Sequence, residues 1–367
     1  MSKILLIGNS GLKHNGLDGQ TVKVRLYLKK IKDEGFDVDF IDLENFSRHP
    51  FSILRRIKRA IRQCDRIVLI TAERGSKILI PYINRINRKL KKPFIFPLIG
   101  ISVLHNSIDK LSEKDRIDFL VNGNYSLCRP RKSLIKQLRK IDYILPETEL
   151  LTKAFINFYG LTNVYQLNNF REDKQISPHN VCHNGLRLIY VSRVMAVKGI
   201  FDLLDVVKSL NGEGFKVYLD IYGGKHLSDE ENRIFISYID GNFINYKGVL
   251  QNDVVCETIS NFDLFVFPTK YLGEGTPGVI AESLIAGTPI ITSNFPQAKY
   301  LLKDGFDSIF YKMSENIELR EKIVDIAHNK DTLKTLKKNA LISGQKYTYS
   351  HERRNFLYYV CGLETKG

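Results

Sequence analysis

Short apolar runs alternate with amphipathic helical patterns along this chain, and the whole alternation occurs twice. The first series opens with "KILLIGNS", a run ending at Gly8, followed by a glycine-bearing loop and the helical pattern "TVKVRLYLKKIKDEG". "FDVDFIDL", "DRIVLITA", "KPFIFPLIG", "KIDYILPET" and "NVYQLNNF" read as further strands, with helices such as "ELLTKAFINFYGL" between them. Strands joined through helices predict a parallel sheet covered on both faces. Residues from Ser102 to Lys132 show no clean period and read as irregular structure or short helices. A polar stretch, "REDKQISPHNVCHNG", reads as a linker, after which the series restarts with "LRLIYVSRV", "KVYLDIYGG", "NFINYKGVL", "FDLFVFPT" and "TPIITSN". The expected class is α/β, with two doubly wound, Rossmann-like parallel-sheet domains over 1–170 and 180–349. At 367 residues the chain is long enough for both to bury a core. Open sheets of this kind bind ligands at the carboxyl ends of their strands, so a cleft between the two domains is the expected site.

Charge divides unevenly between the halves. Residues 1–170 hold 31 Lys and Arg against 16 Asp and Glu, whereas residues 171–367 hold 24 of each. The excess concentrates in "RRIKRAIRQ", "NRINRKLKK" and "RPRKSLIKQLRK". In the first of these Ile53, Leu54, Ile57 and Ile61 share one helical face and Arg55, Arg56, Lys58, Arg59 and Arg62 point elsewhere. One such helix reads as a solvated outer face; three confined to one half point to an anionic partner. An anionic membrane surface and nucleic acid are the two candidates, and no aromatic-interleaved basic motif supports the second. No run approaches the roughly 20 apolar residues that cross a bilayer, and the start lacks a signal peptide's apolar core. The expectation is a cytoplasmic protein, peripherally associated with the inner face of the plasma membrane. Cys64, Cys128, Cys182, Cys256 and Cys361 are scattered and form no CxxC pair, so neither a disulfide framework nor a zinc site is expected.

The second half carries a constellation of chemistry-bearing residues at its strand ends. Arg193 and Lys198 follow "LIYVS", Lys225 and His226 follow "VYLDIYGG", and "GEGTPGVIAESLIAG" follows "LFVFPTKY". The last stretch sets Glu274 in a loop and Glu282 inside a helix that should begin near Pro277, a residue suited to a first turn. Paired carboxylates suggest a glycosidase, whose two groups stand about 5–9.5 Å apart. Eight helical positions span about 12 Å, which is too far for one shared bond. The two glutamates instead read as holding different parts of one long ligand, with the N–H groups of Thr276, Gly278 and Val279 between them offering an anion site. A nucleotide sugar has that order: Glu274 to the sugar, Glu282 to the ribose diol, and Arg193 and Lys198 to the diphosphate.

These residues resemble the large retaining family of GT-B glycosyltransferases known as family four, or group 1, of bacterial surface-polysaccharide type. Its E-x7-E element is matched by "EGTPGVIAE" without departure, and its "G-R-L…K-G" element by "SRVMAVKG", with Ser192 and Val194 in place of glycine and leucine. The resemblance implies that Arg193 and Lys198 bind the donor diphosphate and that Glu274 with Gly275, Thr276, Pro277 and Gly278 contacts the transferred sugar. It also implies that Glu282 holds the ribose, that Lys247, Val249 and Leu250 lie near the base, and that 350–367 is a terminal helix returning to the first domain. The implied chemistry is metal-independent hexosyl transfer without a cofactor. The co-substrate is a nucleotide sugar, UDP-linked rather than GDP-linked, and the acceptor is a lipid-linked saccharide.

In the first half Gly16 and Gly19 stand where the family has a compact glycine pair, and either a phosphate-approaching loop or an ordinary turn accounts for them. His105 in "GISVLHNS" is the nearest match to the family's functional histidine; a structural role is equally open. The pair Asp37 and Asp39 mimics a metal-binding DxD but falls within a strand pattern, so no metal site is assigned to it. Two other functions share the fold: a sugar-nucleotide epimerase, and a non-catalytic partner subunit, against which the intact "EGTPGVIAE" argues.

Overall fold

The computed structural model describes residues 2–12, 18–176 and 184–363. Its contacts fall into two compact units, one formed by Met1–Glu172 with Tyr349–Gly367 and the other by Asp173–Thr348. Among the described residues no helix is long and apolar enough to cross a membrane.

Unit 1 is built on β1 (Lys3–Gly8), β2 (Asp37–Asp42), β3 (Arg66–Ile70), β4 (Phe94–Pro97) and β5 (Tyr143–Leu145). They form one parallel sheet in the order β2-β1-β3-β4-β5. Successive residues of β1 go to opposite faces, as a period of two requires. Leu5 and Ile7 join one apolar cluster, Ile4 and Leu6 the other, and all four are fully buried. Burial on both faces is why this strand reads as an unbroken apolar run.

Helices α1 (Gly19–Asp33), α2 (Pro50–Gln63) and α3 (Glu73–Leu90) follow the first three strands. The Asp18 carboxylate caps α1 by accepting from the Gln20 and Thr21 amides at 2.9 and 3.1 Å. On α2 Ile53, Ile57, Ala60 and Ile61 are buried, while Arg55, Arg56, Lys58, Arg59 and Arg62 are exposed, in the expected division. The stretch after Ser102 forms short helices, beginning with α4 (Ser102–Ile108). Asp37 and Asp39 sit in β2, and Asp37 pairs with Lys3 at 3.8 Å.

One expected strand of this unit is absent. The stretch 163–170 runs beside β5 through hydrogen bonds from Tyr165 N to Ile144 O (3.0 Å) and Leu167 N to Pro146 O (2.9 Å), and only Val164 bridges to Ile144. Pro146 ends β5 after three residues, leaving too short a partner for a ladder.

Unit 2 contains β6 (Leu186–Val191), β7 (Val217–Tyr222), β8 (Ile244–Gly248), β9 (Leu264–Phe267), β10 (Ile290–Ser293) and β11 (Ser308–Tyr311). They pair in parallel in the order β11-β10-β9-β6-β7-β8. The edge strand β11 is not anticipated by the sequence pattern. It has only four residues, two of them half-buried, and so lacks a continuous apolar run.

The C-terminal helix Tyr349–Phe356 and the turn Leu357–Cys361 pack on unit 1, with Phe356 and Val360 fully buried beside Tyr27. The Arg353 guanidinium grips the Glu34 carboxylate at the end of α1 through two bonds of 2.7 Å, and the Tyr349 hydroxyl adds a third at 2.9 Å. The Arg353 hydrogen bonds hold the Glu34 carboxyl below its ordinary value of 4.5. A depressed carboxyl contributes stability that is complete above the ordinary value and is lost as pH falls through the folded one. Arg353 is more than half exposed, so the pair is worth ~1 kcal/mol or less. Glu34→Gln should therefore weaken amide-exchange protection of Tyr349–Phe356 several-fold at pH 7 and abolish its decline between pH 5 and 3. An unchanged acid limb in the variant would contradict this assignment.

Candidate functional site

The carboxyl ends of β6, β7 and β9 carry the residues singled out by their spacing, and backbone hydrogen bonds stitch the three loops together. Ser192 N donates to Tyr222 O (3.1 Å), Val194 N to Gly224 O (2.9 Å) and His226 N to Val194 O (3.0 Å). Lys270 N, beyond β9, donates to Val197 O at 2.9 Å. Two glycines make this approach possible. Gly223 (φ 144°) lies so near β6 that a Cβ would meet Ser192 O at 1.8 Å. Gly199 (φ 73°) would put a Cβ at 1.8 Å from Pro268 O. Any side chain at either position would drive the loops apart.

The tight loop after β6 turns Lys198 inward. Its ammonium forms an ion pair with Glu274 Oε1 and lies 5.1 Å from the Tyr271 ring centroid. Both partners are buried, at 7% exposure each. Thr269 Oγ1 donates to the same Oε1 at 2.8 Å, and the Gln297 amide donates to the Glu274 carbonyl at 3.1 Å. Glu274 Oε2 accepts no hydrogen bond among the described residues, leaving one face of a buried carboxylate for a ligand hydroxyl. Lys198 spends one of its three N–H donors on the pair. The ligand-contact pattern read from the sequence assigns these two side chains to different parts of a donor; the structure brings them into direct contact.

The helix Gly278–Ile285 begins just beyond Pro277, which occupies the cap position at φ −58° and ψ 122°. No side chain caps this end, and the Gly278 and Val279 amides have no acceptor among the described residues; the first turn closes with Ile280 N on Pro277 O at 3.1 Å. Such a terminus is a ready anion site. Glu282, one turn in, is buried at 9% exposure, and Ile280, Leu284 and Ile285 of the same helix are buried as well. Gly275 is half-buried and Thr276 buried in the loop between.

Arg193 is exposed next to this site, and its guanidinium has no partner among the described residues; its carbonyl accepts from the Tyr190 hydroxyl at 2.9 Å. Lys247 is exposed on β8, Val249 is 54% exposed just beyond it, and Leu250 packs on the apolar cluster around Ile189. Burial raises the Asp220 carboxyl on β7, against the opposing charges of Lys247 and Arg187. Lys225 and His226 are exposed, and Lys225 Nζ donates to Asn232 Oδ1 at 2.9 Å.

In unit 1, Gly16 lies outside the described residues. Gly19 is the first residue of α1, and a Cβ there would meet nothing within 4 Å, so no crowding requires a glycine. His105 lies in α4. Sequence reasoning missed a second buried pair, Lys23 Nζ to Glu147 Oε1 at 2.7 Å, with the two side chains 4% and 3% exposed. Lys23 also donates to Leu98 O at 2.6 Å, and Glu147 Oε2 accepts from Gly100 N at 3.3 Å. Burial pulls the Lys23 ammonium below its ordinary value, and Glu147 opposes the shift. The pair ties α1 to the loops leaving β4 and β5. A separation of 124 residues left no local signal for it, and the same is true of Gln297 beneath Glu274.

Residues 171–342 match the sequence family described as "Glycosyl transferases group 1". The capsular polysaccharide biosynthesis glycosyltransferase CapM of Staphylococcus aureus is 25% identical over 187 residues, covering 49% of this chain and 48% of that protein. The N,N'-diacetylbacillosaminyl-diphospho-undecaprenol alpha-1,3-N-acetylgalactosaminyltransferase of Campylobacter jejuni is 21% identical over 336 residues, or 88% of this chain and 84% of that one. For CapM and two archaeal glycosyltransferases, the match spans about half the length of the curated relative. Among solved structures, HepE of Anabaena in complex with UDP superposes with a TM-score of 0.72 at 13% identity, covering 99% of this chain and 100% of HepE. That likeness concerns the fold. Residues 171–342 thus match the group 1 glycosyltransferase family over a little under half of the chain, and the fold is that of the GT-B structures.

Proposed function

We propose that this protein is a retaining, metal-independent hexosyltransferase that moves a sugar from a nucleotide sugar to a lipid-linked glycan acceptor in polysaccharide or glycolipid synthesis. The observation that carries the reading is the buried Lys198–Glu274 pair set beside the uncapped start of the helix Gly278–Ile285. Cation, helix terminus and half-engaged carboxylate together suit a diphosphate joined to a sugar. Arg193, Lys198 and the Gly278 and Val279 amides would take the diphosphate, Glu274 Oε2 a sugar hydroxyl, and Glu282 the ribose. Lys247, Val249 and Leu250 would border the base. UDP is favoured as the nucleotide, in keeping with the UDP bound to HepE.

No side chain of the site is assigned as a nucleophile. The bond from the sugar's anomeric carbon to the diphosphate oxygen breaks, and the acceptor oxygen bonds that carbon on the same face. The acceptor proton passes to the departing diphosphate. Stabilising the charge on that leaving group is the main catalytic contribution of Arg193 and Lys198. His105 is assigned to the acceptor side. The named substrate of the Campylobacter relative is lipid-linked, which supports such an acceptor here. The exposed basic face of α2 would hold the protein at an anionic membrane surface on the cytoplasmic side.

The test is incubation with a panel of radiolabelled nucleotide sugars and total membrane lipid. Transfer of label from a UDP-sugar to the lipid fraction is expected. An altered nucleotide sugar without transfer would indicate an epimerase, and no donor bound or consumed would end the enzyme reading. Glu282→Ala should weaken donor binding by roughly tenfold or more, a charge-assisted contact being lost. Glu274→Gln, which keeps an acceptor for Thr269, should instead lower kcat by about 100-fold. Identical kinetic profiles would contradict the division of roles. Reversing the charges of Arg55, Arg59 and Arg62 should abolish co-sedimentation with phosphatidylglycerol vesicles; unchanged sedimentation would remove the membrane surface from the account.

A further inference from the structure

The amino ends of the unit 1 strands lie at the edge of the sheet opposite the loops that carry Leu98, Gly100 and Glu147. At that edge a cavity of about 260 Å³ opens between the end of α3, the entry to β4 and the entry to β5. Arg88, Lys91, Lys92 and Lys140 line it, and Asp142 is its one acidic wall residue. The Asp142 carboxylate accepts from Phe94 N at 2.8 Å, which fixes β5 against β4. Lys92 Nζ is committed to the end of α2, donating to Arg62 O at 3.2 Å and to Cys64 O. Arg88, Lys91 and Lys140 are exposed and have neither a hydrogen bond nor an ion pair for their charged groups among the described residues.

The walls are held in place before any ligand arrives. Asn87 brackets Lys92, accepting from its amide at 3.0 Å and donating to its carbonyl at 2.7 Å. Asn84 Nδ2 donates to Gln137 O at 3.0 Å, which joins α3 to the helix Lys132–Leu138. Lys91 occupies the left-handed cap of α3 at φ 54° and ψ 31°. Helix ends in that conformation favour glycine, so a lysine there carries a backbone cost that its side chain must offset. Cations near a helix carboxyl end do complement its dipole, and α3 alone would account for Arg88 in that way. Lys140 arrives from a different segment, and the three converge on a cavity rather than spreading over a surface.

We propose that this cavity binds a phosphate-bearing anion, gripped by Arg88, Lys91 and Lys140, at the amino edge of the unit 1 sheet. Arg88 supplies a planar fork, and the two lysines supply point charges around the remaining phosphate oxygens. The anion is either free in solution or the headgroup of an anionic lipid. The site does not depend on the transferase reading.

The probe is inorganic pyrophosphate, titrated calorimetrically into the full chain. Binding to the wild type should weaken by roughly tenfold or more in Arg88→Ala/Lys140→Ala, since charge-assisted contacts are lost. Lys91→Gly should weaken it as well while leaving the thermal midpoint unchanged or raised, because glycine suits that conformation. Lys198→Met should leave this binding intact. In parallel, phosphatidylglycerol and phosphatidylcholine vesicles are sedimented with wild type and variants. Loss of phosphatidylglycerol binding in the pocket variants, with competition by pyrophosphate, identifies a headgroup as the source. Pyrophosphate binding without any vesicle effect identifies a free anion. Equal pyrophosphate affinity in the wild type and both pocket variants, or no binding in any of them, overturns the proposal.

Discussion

A buried carboxylate needs a buried cation, and in unit 2 that requirement fixes the geometry of the candidate site. Removing either Lys198 or Glu274 would leave an uncompensated charge, at a cost of ~3–5 kcal/mol. The pair therefore holds the loop after β6 against the loop after β9. Gly199 and Gly223 permit the approach, because a Cβ at either would stand 1.8 Å from a backbone oxygen. Gln297 holds the Glu274 carbonyl, and Lys198 and Thr269 both donate to the same carboxylate oxygen. The other oxygen and the uncapped turn at Gly278 are the products of this arrangement. The candidate site thus rests on an electrostatic constraint that also fastens the fold.

Unit 1 repeats the device with different residues. Lys23 follows the unit's first strand, as Lys198 does in unit 2, and its partner Glu147 leaves the last strand of the sheet. Both ammonium groups are buried on acidic partners at the carboxyl edge of a parallel sheet. Lys23 and Glu147 also take the Leu98 carbonyl and the Gly100 amide, so the loop leading into α4 is set by the same pair. A doubly wound sheet leaves its functional loops unsupported by strand pairing, and a buried ion pair between loops replaces that support. The opposite edge of unit 1 carries cations without such partners, and there the same physics points to an anion from outside.

Much of this was legible in the sequence because parallel strands buried on both faces announce themselves as apolar runs. Ile4 to Ile7 and Leu264 to Phe267 are such runs, and the glycine-marked strand ends at Gly8 and Gly223 showed where loops begin. The helix start expected near Pro277 places Glu274 in a loop and Glu282 in a helix, as the structure has them. Failures occurred where pairing depends on partners distant in sequence. The stretch 163–170 has strand-like composition, yet Pro146 cuts short the strand it would join. β11 has only four residues, and its existence is set by β10. No local pattern could couple Lys23 to Glu147 or Gln297 to Glu274, since neither pair shares a helix or a turn. The contact between Lys198 and Glu274 was hidden for the same reason, although both residues were singled out.

The central claim is that the carboxyl edge of the unit 2 sheet holds the diphosphate of a nucleotide sugar. Amide hydrogen exchange of the full chain with and without UDP tests it directly. The account predicts UDP-dependent slowing at Gly278 and Val279, in the loop from Arg193 to Gly199 and around Val249 and Leu250. The slowing at Gly278 and Val279 should persist in Arg88→Ala/Lys140→Ala. Protection confined to unit 1, or no protection at saturating UDP, would contradict it.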